Sequence, residues 1–365
     1  LSASQRRDAD ALLEEFAELF DAPRGPSDQI QAQVIELIDG AAPVRARVRK
    51  RNPKAQQALG EMVADMMAKG TIRKSSSEWA SPVVMVRKSG GGWRLCVDFG
   101  ALNRQTVPMA YPMPLIEPML AALKGRTAML STLDLSNGFF QVPLAEVSKP
   151  LTAFHGPSAL YEFQGMPMGA SNSSQAFQER MDAILAGTGA MCYVDDILVG
   201  GTSFADHLQS LRRVFEALRV AKLRLGPAKC RLFRTRGVPF LGHFIDAEGA
   251  RPNPEKVEAM RQMPPPQCAK QLKSFLGMAG YYRRFIAGFA QMAAPLYACT
   301  TKDIVWERVW TAETEEAWEA IKRALCEAPV LGHPDYTRPM LLESDASSIG
   351  AGAVLAQEDE DGIHH

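Results

Sequence analysis

Apolar and polar positions alternate most tellingly around a pair of acids. Ala190-Met191-Cys192 and Ile197-Leu198-Val199 flank Tyr193-Val194-Asp195-Asp196. Two short strand-forming runs around such a tetrapeptide predict a tight β-hairpin with carboxylates at its tip. A second strand-like run, Met129 to Leu135, carries Asp134 and stops at the turn residues Ser136-Asn137-Gly138. A second predicted hairpin runs from Pro82 to Val86, turns at Gly90-Gly91-Gly92 and returns from Trp93 to Phe99. Helical spacing appears over residues 10–20, in Leu59, Met62, Val63, Met66 and Met67, after Phe163 to Gly169, over 254–261, from Leu272 to Phe289, and over 313–326. Residues 339–345 and 350–355 read as two further strands. Pro23, Gly25 and Pro26 suggest a linker after the first helix, and Pro264-Pro265-Pro266 a hinge or boundary.

Two adjacent carboxylates between apolar runs repel each other and resist burial unless a cation neutralises them. An acidic pair alone also fits an ordinary solvated turn. Asp134 on a neighbouring strand end strengthens the metal reading, because three carboxylates without His or Cys suit magnesium or manganese rather than zinc. Such a set can hold two divalent ions about 3.5–4 Å apart for phosphoryl transfer. Arg87, Lys88 and Arg94 cluster near the tip of the glycine-turn hairpin, placed to close over a triphosphate or simply to decorate a surface.

The chain has 365 residues, 46% hydrophobic and 22% charged, enough for two or three domains. No run approaches the length of apolar sequence that spans a bilayer, so no membrane partner is expected. Leu1 to Arg7 shows neither a signal peptide nor an initiating Met, and the chain reads as a fragment of something longer. Six scattered cysteines without a C-x-x-C pair argue for reduced thiols in an intracellular setting and against structural zinc. The net charge of zero hides an asymmetry: residues 303–365 hold 14 acids and 4 bases, leaving 27 acids and 37 bases before them. Basic residues gather between Pro43 and Lys54. A denser set, Arg212, Arg213, Arg219, Lys222, Arg224, Lys229, Arg231, Arg234 and Arg236, faces the single acid Glu216 between His207 and Gly237. Both stretches suit a phosphate backbone or plain surface charge.

In this order, the landmarks resemble the reverse transcriptase of gypsy-type long-terminal-repeat retrotransposons, from about Pro43 to the C-terminus. The stretches that carry the resemblance are Ile72 to Val84, Trp93 to Phe99, Ala101-Leu102-Asn103, Ser131 to Leu135, Tyr193 to Val199, Phe240-Leu241-Gly242-His243 and Ser274 to Ile286. It implies an α+β right-hand polymerase fold of fingers, palm and thumb, followed by an incomplete RNase H-like α/β domain. The domains implied are an N-terminal helix and linker (1–44), fingers and palm (45–246), thumb and connection helices (247–303), and the truncated start of RNase H (304–365).

The resemblance further implies an RNA-directed DNA polymerase that extends a DNA primer with deoxynucleoside triphosphates on an RNA or DNA template. Asp134, Asp195 and Asp196 would be catalytic and, with the Leu135 carbonyl, hold two Mg2+ ions, with Mn2+ as a substitute. Arg87 or Lys88, with Arg94, would bind the triphosphate. Phe139 would lie beneath the sugar and exclude a ribose 2′-hydroxyl, although a core phenylalanine fits the same position. Asp345 matches the first RNase H acid; its companions would lie past His365, so no RNA cleavage is expected. Expected partners are RNA template, DNA primer, RNA–DNA hybrid and the rest of a Pol polyprotein, with protease, remaining RNase H and integrase. The expected location is a cytoplasmic virus-like particle or the nucleus. Gly100, Met168 and Ser174 depart from the family's usual residues without touching the metal ligands. A remnant that binds nucleic acid without extending primers is the competing reading, and an RNA-templated RNA polymerase is disfavoured by Phe139.

Overall fold

The computed structural model describes the chain except residues 89, 302–304, 336, 348–349 and 359–365, and the side chains of 307, 345–347 and 350–352. It divides into two compact units. One comprises Leu1–Leu115 with Ser131–Phe233, the other Ile116–Leu130 with Arg234–His365.

The first unit is organised by a four-stranded sheet in the order Met191–Tyr193, Asp196–Gly201, Met129–Asp134, Arg231–Arg234. Ile197, Leu198 and Val199 are all fully buried, so this strand is covered on both faces and shows no alternation. The helices Ser173–Ile184 and Phe204–Val220 supply the cover. The second starts at the N-cap Ser203, whose side chain accepts from the Asp206 N–H, and buries Leu211, Val214, Phe215 and Leu218. Ser131 in the sheet and the buried His207 meet at 2.7 Å, and the Ser131 hydroxyl also accepts from the Phe233 N–H.

The N-terminal helix Ala3–Glu15 starts with a capping box between Ser2 and Gln5 and leads into a 3-10 turn, Ala17–Phe20. Leu12, Phe16 and Leu19 are buried completely. The Phe16 ring lies 5.5 Å from that of Phe215, beneath the Arg219 guanidinium at 3.9 Å. The segment after it, expected to be a linker, is pinned at Gln33 to Leu144, at Leu37 to Thr106 and at Arg45 to Ala80 by single β-bridges. Its backbone polar groups find partners on the unit's surface, which prolines and glycines in the sequence do not reveal. Of the basic arm, Arg45 pairs with Glu78, Arg49 with Asp98 at 3.0 Å, and Arg51 donates to the Val83 carbonyl. The helix Pro53–Ala68 follows, N-capped by Asn52 and anchored by Ala55, Leu59 and Val63. Beside it, Val83–Arg87 and Trp93–Val97 form the expected hairpin.

In the second unit the strands Val238–Phe240, His243–Ile245 and Ala250–Pro252 form an antiparallel sheet. The helices Pro254–Arg261, Ala269–Tyr281, Phe289–Ala298 and Ala312–Cys326 share one core of Met260, Leu272, Phe275, Leu276, Leu296, Trp318 and Ile321. The triple proline therefore separates two helices of one core and is no unit boundary, because Met260 before it packs with Leu272 after it. Leu341–Ser347 and Gly350–Ala356 pair antiparallel. Among the described residues no helix is long and apolar enough to cross a membrane.

Candidate active site

The acidic hairpin forms as its pattern predicts: Tyr193 pairs with Asp196, leaving Val194 and Asp195 as the loop. Val194 has φ +55°, at a loop position where hairpins usually place glycine because a side chain there is strained. The side chain of Gln178, fully buried on the helix behind, holds the loop in that shape. Its oxygen accepts from the Val194 N–H at 2.6 Å, and its nitrogen donates to the Cys192 carbonyl at 2.9 Å and to Asp182 at 2.8 Å. Strain at a functional turn persists only where its surroundings hold it.

Asp134 ends the strand beside the hairpin. Burial pushes the Asp196 carboxyl up to about 6, and the neighbouring charges of Asp195 and Asp134 push the same way, opposed by the Lys229 ammonium. The three sequence-derived acids therefore share one electrostatic site. Lys229 donates to both Asp134 oxygens, at 3.0 and 3.1 Å. Among the described residues no three His, Cys, Asp or Glu side chains converge closely enough to chelate an ion as they stand. An ammonium on hard carboxylate oxygens nonetheless marks the cluster as one that draws cations. The donor set fits a hard divalent ion.

Leu135 is buried and bridges Leu225; the flanking bonds, Gly226 N–H to the Asp134 carbonyl and Ser136 N–H to the Arg224 carbonyl, leave the Leu135 carbonyl unused by that pairing. Phe139 is half-buried and stacks on Phe177 with centroids 4.9 Å apart, while Phe140 stacks on Phe163. On the glycine-turn hairpin Val86 pairs with Arg94 and Arg87 with Trp93, and the Arg87 guanidinium lies 5.0 Å from the Trp93 ring centroid. Arg87, Lys88 and Arg94 are exposed, and among the described residues no carboxylate pairs with them. Arg87 and Arg94 stand on a two-stranded sheet of their own, with Lys88 just past its first strand, in the same unit as the acids. Asp345 belongs to the other unit, on Leu341–Ser347 opposite Gly352; its side chain lies outside the described residues.

Residues 86–245 match the family model described as reverse transcriptase (RNA-dependent DNA polymerase), and 310–365 match the RNase H-like domain found in reverse transcriptase. The Pol polyprotein from transposon 297 of Drosophila melanogaster is 36% identical over 321 residues, 84% of this chain. The Pol polyprotein from transposon opus of the same organism is 34% identical over 96% of it. This chain belongs to the reverse transcriptase family. It spans 30% and 36% of the length of those two relatives. The foamy viral protease-reverse transcriptase in complex with RNA/DNA hybrid superposes with a TM-score of 0.85 at 26% identity, over all of this chain and 49% of that one. The foamy viral protease-reverse transcriptase dRH in complex with double-stranded DNA gives 0.84 at 26%, over 95% of this chain and 61% of that one.

Against that reverse transcriptase frame, two site residues escape a reading of the sequence. Gln178 sits between the core residues Phe177 and Met181 and gives no signal of its own, since a lone Gln on an apolar face looks like any helix residue. Lys229 is visible only as one of nine bases. Several of those bases are engaged in ion pairs near the surface: Arg212 pairs with Glu15, Arg219 with Glu18, Lys222 with Asp28 and Lys229 with Asp134. The run that suits a phosphate backbone is thus partly consumed in fastening the N-terminal segment and the acidic site.

Proposed function

We propose that this chain is the RNA-directed DNA polymerase of a retrotransposon Pol polyprotein, extending a DNA primer with deoxynucleotides on RNA or DNA. The observation that carries this reading is the sheet order, which sets the strand ending at Asp134 directly beside the clamped hairpin that presents Asp195 and Asp196. Asp134, Asp195 and Asp196, with the Leu135 carbonyl, would hold two Mg2+ ions, or Mn2+. When bound, divalent ions supply Lewis-acid activation of the primer hydroxyl and charge neutralisation of the leaving pyrophosphate. The protein's own part is positional: the hairpin and the neighbouring strand end present hard oxygens from two directions, and Gln178 fixes the turn. Exposed Arg87, Lys88 and Arg94 offer guanidinium and ammonium donors to a triphosphate. The Phe139 ring, backed by Phe177, limits the space beneath the sugar.

Primer extension on an RNA template with magnesium and deoxynucleotides tests the reading, comparing the parent with an Asp195→Asn, Asp196→Asn double variant. Extension by the parent alone supports it. Hybrid binding without extension by either protein would favour a remnant that only binds nucleic acid.

A further inference from the structure

Lys229 reaches the acidic site on a turn built around Asp134 itself. The Asp134 carbonyl accepts from the Gly226 N–H at 2.8 Å, and the Gly226 carbonyl accepts from the N–H groups of Lys229 and Cys230, at 3.0 and 3.3 Å. A Cβ added at Gly226 would lie only 3.4 Å from an Asp134 carboxylate oxygen, so the turn passes close to that side chain. One turn thus grips the backbone of Asp134 and carries an ammonium onto both oxygens of its carboxylate. The two partners differ sharply in exposure: the Lys229 side chain is 71% exposed, that of Asp134 17%. The lysine can leave for water while the carboxylate stays in place.

We propose that Lys229 is the resident counter-ion of the acidic site, occupying Asp134 when no divalent ion is bound and competing directly with that ion for the same oxygens. The inference rests on the metal reading given above. Its physical basis is simple: three neighbouring carboxylates repel one another, and a tethered ammonium relieves the repulsion at little entropic cost because the turn already holds its backbone near. A divalent ion must break this pair before it takes Asp134. An exposed pair of this kind is weak, which makes displacement easy, and its removal should tighten ion binding by roughly two- to fivefold. Lys229 is accordingly a positioning residue that sets how strongly the empty site resists metal.

The test is direct titration of the full chain, without nucleic acid, with Mn2+, following free ion by electron paramagnetic resonance. Lys229→Met, which keeps the length of the side chain and removes the charge, should bind Mn2+ about two- to fivefold more tightly than the parent, whereas Lys229→Arg should stay parent-like. In thermal melting, added Mn2+ should raise the Tm of Lys229→Met by more than that of the parent. Unchanged or weaker binding by Lys229→Met, or equal tightening by Lys229→Arg, would overturn the proposal. The Asp195→Asn, Asp196→Asn variant separates this from failure of the metal reading: if it binds Mn2+ as the parent does, both fall together. If it loses binding while Lys229→Met matches the parent, only the counter-ion role falls.

Discussion

Gln178 and Val194 are joined by a 2.6 Å hydrogen bond that runs from the strained loop of the acidic hairpin into the interior of the first unit. With the Cys192 carbonyl bound by the same side chain, one buried amide satisfies both sides of the turn that presents Asp195 and Asp196. Gln178→Leu keeps the bulk and leaves the Val194 N–H and Cys192 carbonyl without these partners. Each buried group left unsatisfied costs about 1–3 kcal/mol. The variant should therefore lose at least about 2 kcal/mol in urea unfolding. Primer extension should fall further than the population of folded protein explains. Full extension by a destabilised but folded variant would show that the clamp serves stability alone.

Phe139 rests on Phe177, so its ring is held in a defined place. Phe139→Ala should raise incorporation of ribonucleotides relative to deoxynucleotides, measured by single-nucleotide addition to a fixed primer. The same change removes half-buried aromatic surface and should cost about 1–3 kcal/mol. Unchanged sugar selection would assign the ring to the core.

The N-terminal helix matters to the first unit as core. Phe16 is fully buried against Phe215 and capped by Arg219. Truncating such a ring typically costs about 3–5 kcal/mol. Phe16→Ala should bring that loss in denaturant unfolding, with primer extension at low temperature retained by whatever fraction stays folded. A loss under 1 kcal/mol, well short of that range, would show the helix to be an appendage.

His243 gives the second unit a pH dependence near neutrality. It is buried against Tyr281, Tyr282 and Phe285, with its Nδ1 2.9 Å from the Leu241 carbonyl. Burial lowers its pKa below the ordinary 6.5, and the charge of Arg284 adds to this; the Leu241 carbonyl and Glu117 act in the opposite direction. The unfolded chain therefore takes up a proton that the folded state resists, so stability is fully present above 6.5 and falls as pH drops below it. Urea midpoints of the second unit's transition should drop between pH 7.5 and 5.5 in the parent, and by less in His243→Gln. Parallel slopes would place the proton uptake elsewhere.

The strong periodic signals in the sequence survive in the structure. Tyr193 to Val199 forms its hairpin, residues 254–261 and 313–326 their helices, and Leu341 onward its strands. These are local patterns, in which each residue's partner is a few positions away. Long-range pairing is what stays hidden. Nothing near Lys229 announces Asp134, 95 residues away, and nothing near Arg219 announces Glu18, 201 residues away. Charge composition counts the bases but not the carboxylates they meet, so bases held in ion pairs look the same as a free nucleic-acid surface. The triple proline leaves hinge and boundary open for a related reason, since it ends a helix whether the chain then leaves the core or returns to it.

The guanidinium of Arg87 over the Trp93 ring gives the glycine-turn hairpin an optical property of its own. Indole emission responds to a charge held above the ring; Lys322 stands over Trp318 in the same way, but in the other unit. An anion that draws Arg87 away would therefore change the fluorescence of Trp93. The hairpin thus carries its own reporter of anion binding at Arg87, readable in the unmodified chain.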